Sequence, residues 1–154
     1  MTEVHGVISR SDGPLAWSHA EERLERARNY WLATSRPDGT PHAAPVWGVW
    51  VEGALYFGTG RGSMKGKNLS HNPKLVVHLE SGDEVVILEG EVEEVADRAS
   101  FAAIDAAYRA KHGMGVTEAG EDGAVWYVVR PRKAYAWLES DFPNTSTRWR
   151  FHAG

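Results

Sequence analysis

Between Tyr30 and Thr59 the chain alternates short apolar runs with turn signals, and this rhythm limits the fold more than any other feature of the sequence. Tyr30 to Thr34 is the first run. Pro45 to Val51 is the second, with residues 42–44 as its lead-in, and Leu55 to Thr59 is the third. The joints are Pro37, Asp38 and Gly39, then Glu52 and Gly53. Runs this short read as strands, and joints this short force neighbouring strands to be antiparallel. The segment is therefore expected to be a three-stranded meander.

The rest of the chain extends the pattern. Leu15 to Arg28 reads as a short helix, with Ser18 and Glu21 spaced as a capping box and Ala20, Leu24 and Ala27 on one narrow face. Ser63 to Ser70 is a second short helix, with Ser63 as N-cap and Asn72-Pro73 as its stop. Lys74 to Glu80 and Val85 to Val95 are strands joined by a turn at Ser81, Gly82 and Asp83. Asp97 to Lys111 is a helix capped by Asp97, with Phe101, Ile104 and Tyr108 as its apolar stripe and Gly113 as its stop. A glycine-rich loop follows from Gly113 to Gly123, and two further strands run from Ala124 to Arg130 and from Ala134 to Glu139. About seven strands, mostly in hairpins, with two or three helices between them, suggest a closed barrel, which leaves no unpaired edge.

With 154 residues, the chain makes one domain over 1–154. Residues 1–14 are expected to be a flexible N-terminus and 140–154 a C-terminal tail. The chain has no cysteine, which removes disulfides, thiolate metal sites and a cysteine nucleophile together. Its opening residues carry an acid and no apolar core of a leader, and no apolar run approaches the ~20 residues of a membrane span. These features predict a cytoplasmic protein with no membrane partner. A net charge of −4 argues against a nucleic-acid binder. None of the seven histidines forms an HxH or HExxH pair, so no metal site is expected. No GxSxG elbow points to a serine hydrolase. The seven tryptophans outnumber the four phenylalanines; such residues line flat-ligand pockets and subunit interfaces, or fill a core.

Against this acidic background, nothing acidic occurs between Glu52 and Glu80, while Arg61, Lys65, Lys67 and Lys74 all fall there. The stretch is not a Walker loop, because Gly66 and Lys67 are followed by Asn68 and Arg61 stands where the first glycine belongs. It is not a dinucleotide fingerprint, because the glycine spacing fails and the flanking strands are antiparallel. What remains is a strand, a glycine loop and a helix start. Helix N-terminal amides point at anions, and Ser63, Lys65, Arg61 and Asn68 can add to them. The other reading of the same residues is a solvated basic face that balances acids on a neighbouring strand.

The segments WLATSRPDGTPHAAPVW, ALYFGTGRGSMKGKNLSHNP and VVILEGEVEEV, in that order, resemble the pyridoxamine-phosphate-oxidase-like split-barrel superfamily, and within it the flavin/deazaflavin oxidoreductase group. The most specific element is T-x-x-x-S-x-K-x-x-N-L-x-x-N-P, matched by Thr59, Ser63, Lys65, Asn68, Leu69, Asn72 and Pro73. The DG-x-PH-x-x-P-V-W element, Asp38 to Trp47, is nearly as specific. Full pyridoxamine-phosphate oxidases carry further basic and tyrosine motifs that this chain lacks, which sets the vitamin-making activity aside.

The resemblance implies a mainly β fold, a six- to seven-stranded antiparallel split barrel with two or three peripheral helices. It implies a flavoprotein that is a homodimer, with FMN or the deazaflavin coenzyme F420 in grooves at the interface; the high Ala, Gly, Arg and Trp content is compatible with a GC-rich bacterial genome. The cofactor phosphate would meet Arg61, Ser63, Lys65, Lys67 and Asn68, and its ring would lie near Val46, Trp47 and Thr59. Arg148 and Trp149 of the other subunit would complete the site. The implied activity is hydride transfer to a small organic substrate, with the cofactor supplying the chemistry and no side chain named as catalytic. A non-catalytic carrier of a flavin, deazaflavin or haem-type ligand is the alternative that the same pocket allows.

Overall fold

The computed structural model describes residues 7–116 and 124–152. Among these, nine strands form one antiparallel sheet system: β1 (Val7–Asp12), β2 (Asn29–Ser35), β3 (Pro41–Trp47), β4 (Val49–Val51), β5 (Ala54–Gly60), β6 (Lys74–His78), β7 (Glu84–Glu94), β8 (Ala124–Leu138) and β9 (Thr147–His152). The helices are α1 (Trp17–Arg26), α2 (Met64–His71), α3 (Arg98–His112) and a single turn, α4 (Phe142–Thr145), preceded by a 3-10 turn. Of the expected loop from Gly113 to Gly123, residues 117–123 lie outside the described residues.

The expected meander is present, and it closes on itself. β3 pairs with β2 along its whole length, from Asn29 opposite Trp47 to Ser35 opposite Pro41. One residue later the same chain, now β4, pairs with β5. The switch occurs at Gly48. A Cβ there would stand 2.9 Å from the Tyr56 carbonyl oxygen, 3.1 Å from Leu55 Cδ1 and 3.2 Å from the Tyr30 ring. Only a residue without a side chain lets the strand bend this closely. With β3 and β4 counted as one bent strand, the circuit β2–β3/β4–β5–β8–β7–β6–β2 is a closed barrel. Beyond Gly48, β3 and β5 part, and α2 packs against β2 and β5 in that gap.

The core follows from strand alternation. β2 alternates half-buried and buried positions, and so does most of β7. Tyr30, Leu32, Phe57, Val77, Leu88 and Val129 fill the barrel. A second cluster, with Val49, Ile104, Tyr108 and Trp126, forms where α3 covers the outside of β4, β5 and β8. The stripe expected on this helix is therefore its docking face, with Ile104 and Tyr108 buried. Asp97 caps it by accepting from the Ser100 amide at 2.9 Å, and Gly113 ends it.

Four expectations are corrected. Residues 7–12, expected to be flexible, form β1 and pair with β9 in the segment expected to be a tail. The two strands expected from Ala124 and Ala134 are one, β8. Pro131 does not end it, because the pairing with β7 steps from Glu89–Lys133 to Gly90–Pro131 and leaves Arg132 as a bulge, where a missing N–H is tolerated. The capping box at Ser18 does not form. The helix starts at Trp17 after Ala16, with no side-chain cap, and Glu21 instead accepts the Trp50 indole N–H at 3.0 Å. Most tryptophans with described contacts pack internally: Trp17 meets Trp50, Trp149 and Phe151 edge-on.

The C-terminal end of α3 ties the barrel corner together. Lys111 Nζ donates to the Tyr30 hydroxyl at 2.7 Å, and that hydroxyl donates to the Leu24 carbonyl at 2.5 Å. Burial lowers the Lys111 ammonium to about 8, against the pull of the Glu25 carboxylate, and burial raises the Tyr30 phenol. An unfolded lysine titrates near ~10.4, so between about pH 8 and 10 the unfolded chain holds more protons and stability must rise with pH. Above about pH 10 the unfolded chain loses the phenol proton first, and stability must fall. Denaturant melts across this range are expected to show the rise and then the fall, with Lys111→Met removing only the rise. A wild type that weakens steadily from pH 8 would contradict this account.

Candidate functional site

β5 ends at Gly60, Arg61 and Gly62 turn, and Ser63 caps α2. The Ser63 hydroxyl accepts from the Gly66 amide at 3.1 Å and donates to the Gly60 carbonyl at 2.7 Å. Its single proton is thereby used, so the Thr59 hydroxyl, 3.1 Å away, is the donor between the two. A Cβ on Gly66 would run into the carbonyl oxygens of Gly60 and Arg61. The strand end and the helix start are thus locked in backbone contact. The amides of Met64 and Lys65 have no partner among the described residues, as the first turn of a helix requires.

Helix geometry sorts the cations. At 100° per residue, Lys65 lies between Asn68 and Leu69, which are both buried, and it is half-buried itself. It makes no ion pair with any described residue. Lys67 lies on the solvent side of α2. Arg61 is answered by Glu94 of β7, at 3.3 and 3.4 Å, with both side chains more than half exposed. For Arg61 the balancing-acid reading is therefore the one observed. An exposed pair of this kind is weak and yields to a competing anion.

Two expected site residues are not available. Asn68 is 1% exposed, and its Nδ2 donates to Thr34 Oγ1 at 3.0 Å; it ties α2 to β2 instead of facing a ligand. Trp149 is also 1% exposed and packs on Trp17 with centroids 5.1 Å apart, so it cannot reach into another subunit's site. Its neighbour Arg148 points the other way along β9, is exposed, and lies 3.5 Å from Asp12. Val46 and Trp47 likewise part to opposite faces. Val46 packs against the barrel core. Trp47 meets the His112 ring, stacked at 4.8 Å, and the Arg28 guanidinium, also at 4.8 Å. His112 Nε2 is 2.9 Å from the Gly48 carbonyl; a carbonyl only accepts, so this nitrogen carries the hydrogen, and burial lowers the imidazole.

The structure brings Thr59, Ser63 and Lys65 together, with Arg61 beside them. The free first-turn amides and an unanswered half-buried ammonium fit a phosphate group; the hydroxyl pair, with both protons spent inside the junction, holds the helix start in place. A groove of about 430 Å³ lies elsewhere. It sits at the other end of α2, lined by Asn72, Lys74 and the outer faces of β2, β6 and β7. Sequence reasoning missed Arg36, His42, Arg28 and His112. His42 belongs to the DG-x-PH element; the others carried no local signal. No helix among the described residues is long and apolar enough to cross a membrane.

A closed antiparallel barrel that opens on one side to admit a short capped helix is a split barrel. The sequence signature of the family described as pyridoxamine 5'-phosphate oxidase matches residues 16–138, and the chain belongs to that family. A solved structure described as F420 reductase is 28% identical, with a TM-score of 0.60, over 74% of this chain and 94% of the other. An FAD-binding protein from Mesorhizobium loti is 21% identical, with a TM-score of 0.64, over 97% and 98% of the two chains. A haem-binding protein from Mycobacterium smegmatis is 20% identical, with a TM-score of 0.66, over 80% of this chain and 55% of the other. The last two share the fold alone. No curated protein sequence matches the chain.

The Thr34–Asn68 bond gives a direct test of how α2 is held. Asn68→Ala leaves the Thr34 hydroxyl, 3% exposed, without its partner, which is expected to cost about 1–3 kcal/mol. Adding Thr34→Val removes the orphaned group, and the double variant is expected to recover part of the loss. Thermal melts of both variants measure this, and simple addition of two losses would contradict it.

Proposed function

We propose that the protein binds FMN or coenzyme F420 by its phosphate at the β5–α2 junction and acts as an oxidoreductase on a small organic substrate. The observation that carries the reading is Lys65, a half-buried ammonium with no carboxylate partner among the described residues, set beside the first-turn amides of α2. The likeness to the F420 reductase structure favours the deazaflavin. Such a cofactor, when bound, supplies hydride chemistry that no side chain of this site offers. The chain's own part is to hold the phosphate through Lys65 and the α2 amides, to keep Thr59 and Ser63 oriented, and to shield the ring along β3 and β5. Arg61 can leave Glu94 to follow the ligand's charge.

The site is completed, in this reading, by a second copy of the chain. One register row across the outer sheet face runs Pro45, Trp31, His78, Ile87, Tyr135 and Arg148. Its apolar members on β2, β7 and β8 are only half-buried. The adjoining row carries Ala33 and Val76, then Glu89 opposite Lys133. An apolar band edged by acids and bases is self-complementary under a two-fold axis. Arg148 ends the apolar row and would be offered to the partner.

Three experiments test these statements. Titration with FMN, F420 and their phosphate-free analogues is expected to show binding, and Lys65→Ala is expected to weaken the phosphorylated forms by about 10- to 100-fold while sparing the analogues. Equal losses would reject the phosphate role, and no binding of any form would reject the cofactor. A reduced cofactor that stays reduced across a panel of acceptors would turn the reading to a carrier. Sedimentation is expected to show a dimer, and Val76→Glu a folded monomer; a monomeric wild type would reject the assembly.

A further inference from the structure

The β2–β3 hairpin holds two buried nitrogens with no partner. Arg36 Nε and His42 Nδ1 are shielded from solvent, and neither makes a hydrogen bond with a described residue. His42 stands directly opposite Thr34 in the register. Arg36 follows two residues after Thr34 and is held by its amide, which donates to the Thr40 carbonyl at 2.9 Å. Alternation puts Thr34, Arg36 and His42 on one face of the hairpin. It is the face that α2 meets, because Thr34 Oγ1 accepts from Asn68. Lys65 is one turn before Asn68 on the same side of α2. Three nitrogen-bearing side chains therefore lie on the two faces that meet where α2 fills the gap in the barrel. None of the three enters an ion pair with a described residue. Asp38, the acid that feels the Arg36 charge, spends Oδ1 on the Thr40 amide at 2.9 Å.

Buried donors without acceptors are rare because each forfeits its hydration for nothing. Two unpartnered buried nitrogens on one face of the hairpin, both on residue types that bind anions, call for a partner that the described residues do not supply. We infer that Arg36 and His42 are anion-binding residues that, with Lys65, contact the phosphate of the bound ligand directly. This rests on the reading of the site as a holder of a phosphorylated cofactor, and it adds two residues that lie outside the strand–loop–helix motif. Arg36 would donate through its guanidinium, and His42 through a hydrogen on Nδ1, to phosphate oxygens that can only accept. The two residues take the place left by Asn68, which is committed to Thr34.

The test uses the whole chain, with Arg36→Gln and His42→Gln, and reads binding rather than turnover. Each variant is expected to weaken FMN and F420 by about tenfold or more and to change riboflavin binding by less than about twofold. Inorganic phosphate is expected to raise the melting temperature of the wild type and not of either variant. Arg36→Lys, which keeps the charge, is expected to restore part of both effects and serves if Arg36→Gln does not fold. Equal losses for FMN and riboflavin, or full phosphate protection in the variants, would overturn the inference. If the wild type binds no cofactor but its phosphate protection still needs Arg36 and His42, the anion site stands and the cofactor reading falls. If FMN binds the wild type and the variants alike, the reverse holds.

Discussion

The bend at Gly48 is the constraint on which the rest depends. β3 and β4 are one strand serving two neighbours, β2 before the glycine and β5 after it. A side chain at the bend would meet the Tyr56 carbonyl, Leu55 and the Tyr30 ring. Without the bend, β3 and β5 would be open edges, free to pair with other chains. With it, the sheet closes, and the divergence of β3 from β5 leaves a gap of helical width. His112 of α3 donates to the Gly48 carbonyl, so the bend is also where the outer helix is fastened to the barrel.

That gap explains α2. A helix lodged between β2 and β5 must turn one face inward, and Asn68 and Leu69 supply it. Asn68 brings a polar group into the barrel wall, and Thr34 satisfies it, as a buried amide requires. Gly66 lets the helix lie against the carbonyls of the loop that leads into it. The helix start is then fixed by packing on three sides, and the direction of each of its side chains follows from the helical period. Lys65 is half-buried between the directions of Asn68 and Leu69, and Lys67 faces water, for this reason.

Local signals carried much of the fold. The strand rhythm from Tyr30 to Thr59, the caps at Ser63 and Asp97 and the stop at Gly113 could all be read because each depends on neighbours in sequence. β1 escaped because Val7 to Asp12 has no apolar alternation and is a strand only by pairing with β9. β8 was cut at Pro131 because a proline ends a strand unless a bulge excuses it, and the bulge is set by β7. The site divided in the same way. Ser63 and Lys65 are placed by their own helix. Asn68 and Trp149 have residue types suited to a ligand, but their direction is decided by β2 and by Trp17. Arg36 and His42 share a face with Asn68 only through the β2–β3 register and the packing of α2.

The absence of acids between Glu52 and Glu80 takes on a sharper meaning in three dimensions. It does not leave the stretch uncompensated, since β7 returns alongside and Glu94 reaches Arg61. What it does is keep carboxylates off α2 and off the loop before it, where any acid would stand within a few ångströms of Lys65. Distance matters because two charges at 4 Å near a protein surface interact at about 4 kcal/mol, whereas an exposed pair in water retains about 1 kcal/mol. Arg61 and Glu94 are both exposed, so solvent screens their attraction and they cancel cheaply. Lys65, half-buried at the mouth of the gap, belongs closer to the first of these cases. A neighbouring acid would neutralise it, and a ligand phosphate is the partner that its position and the α2 amides jointly favour.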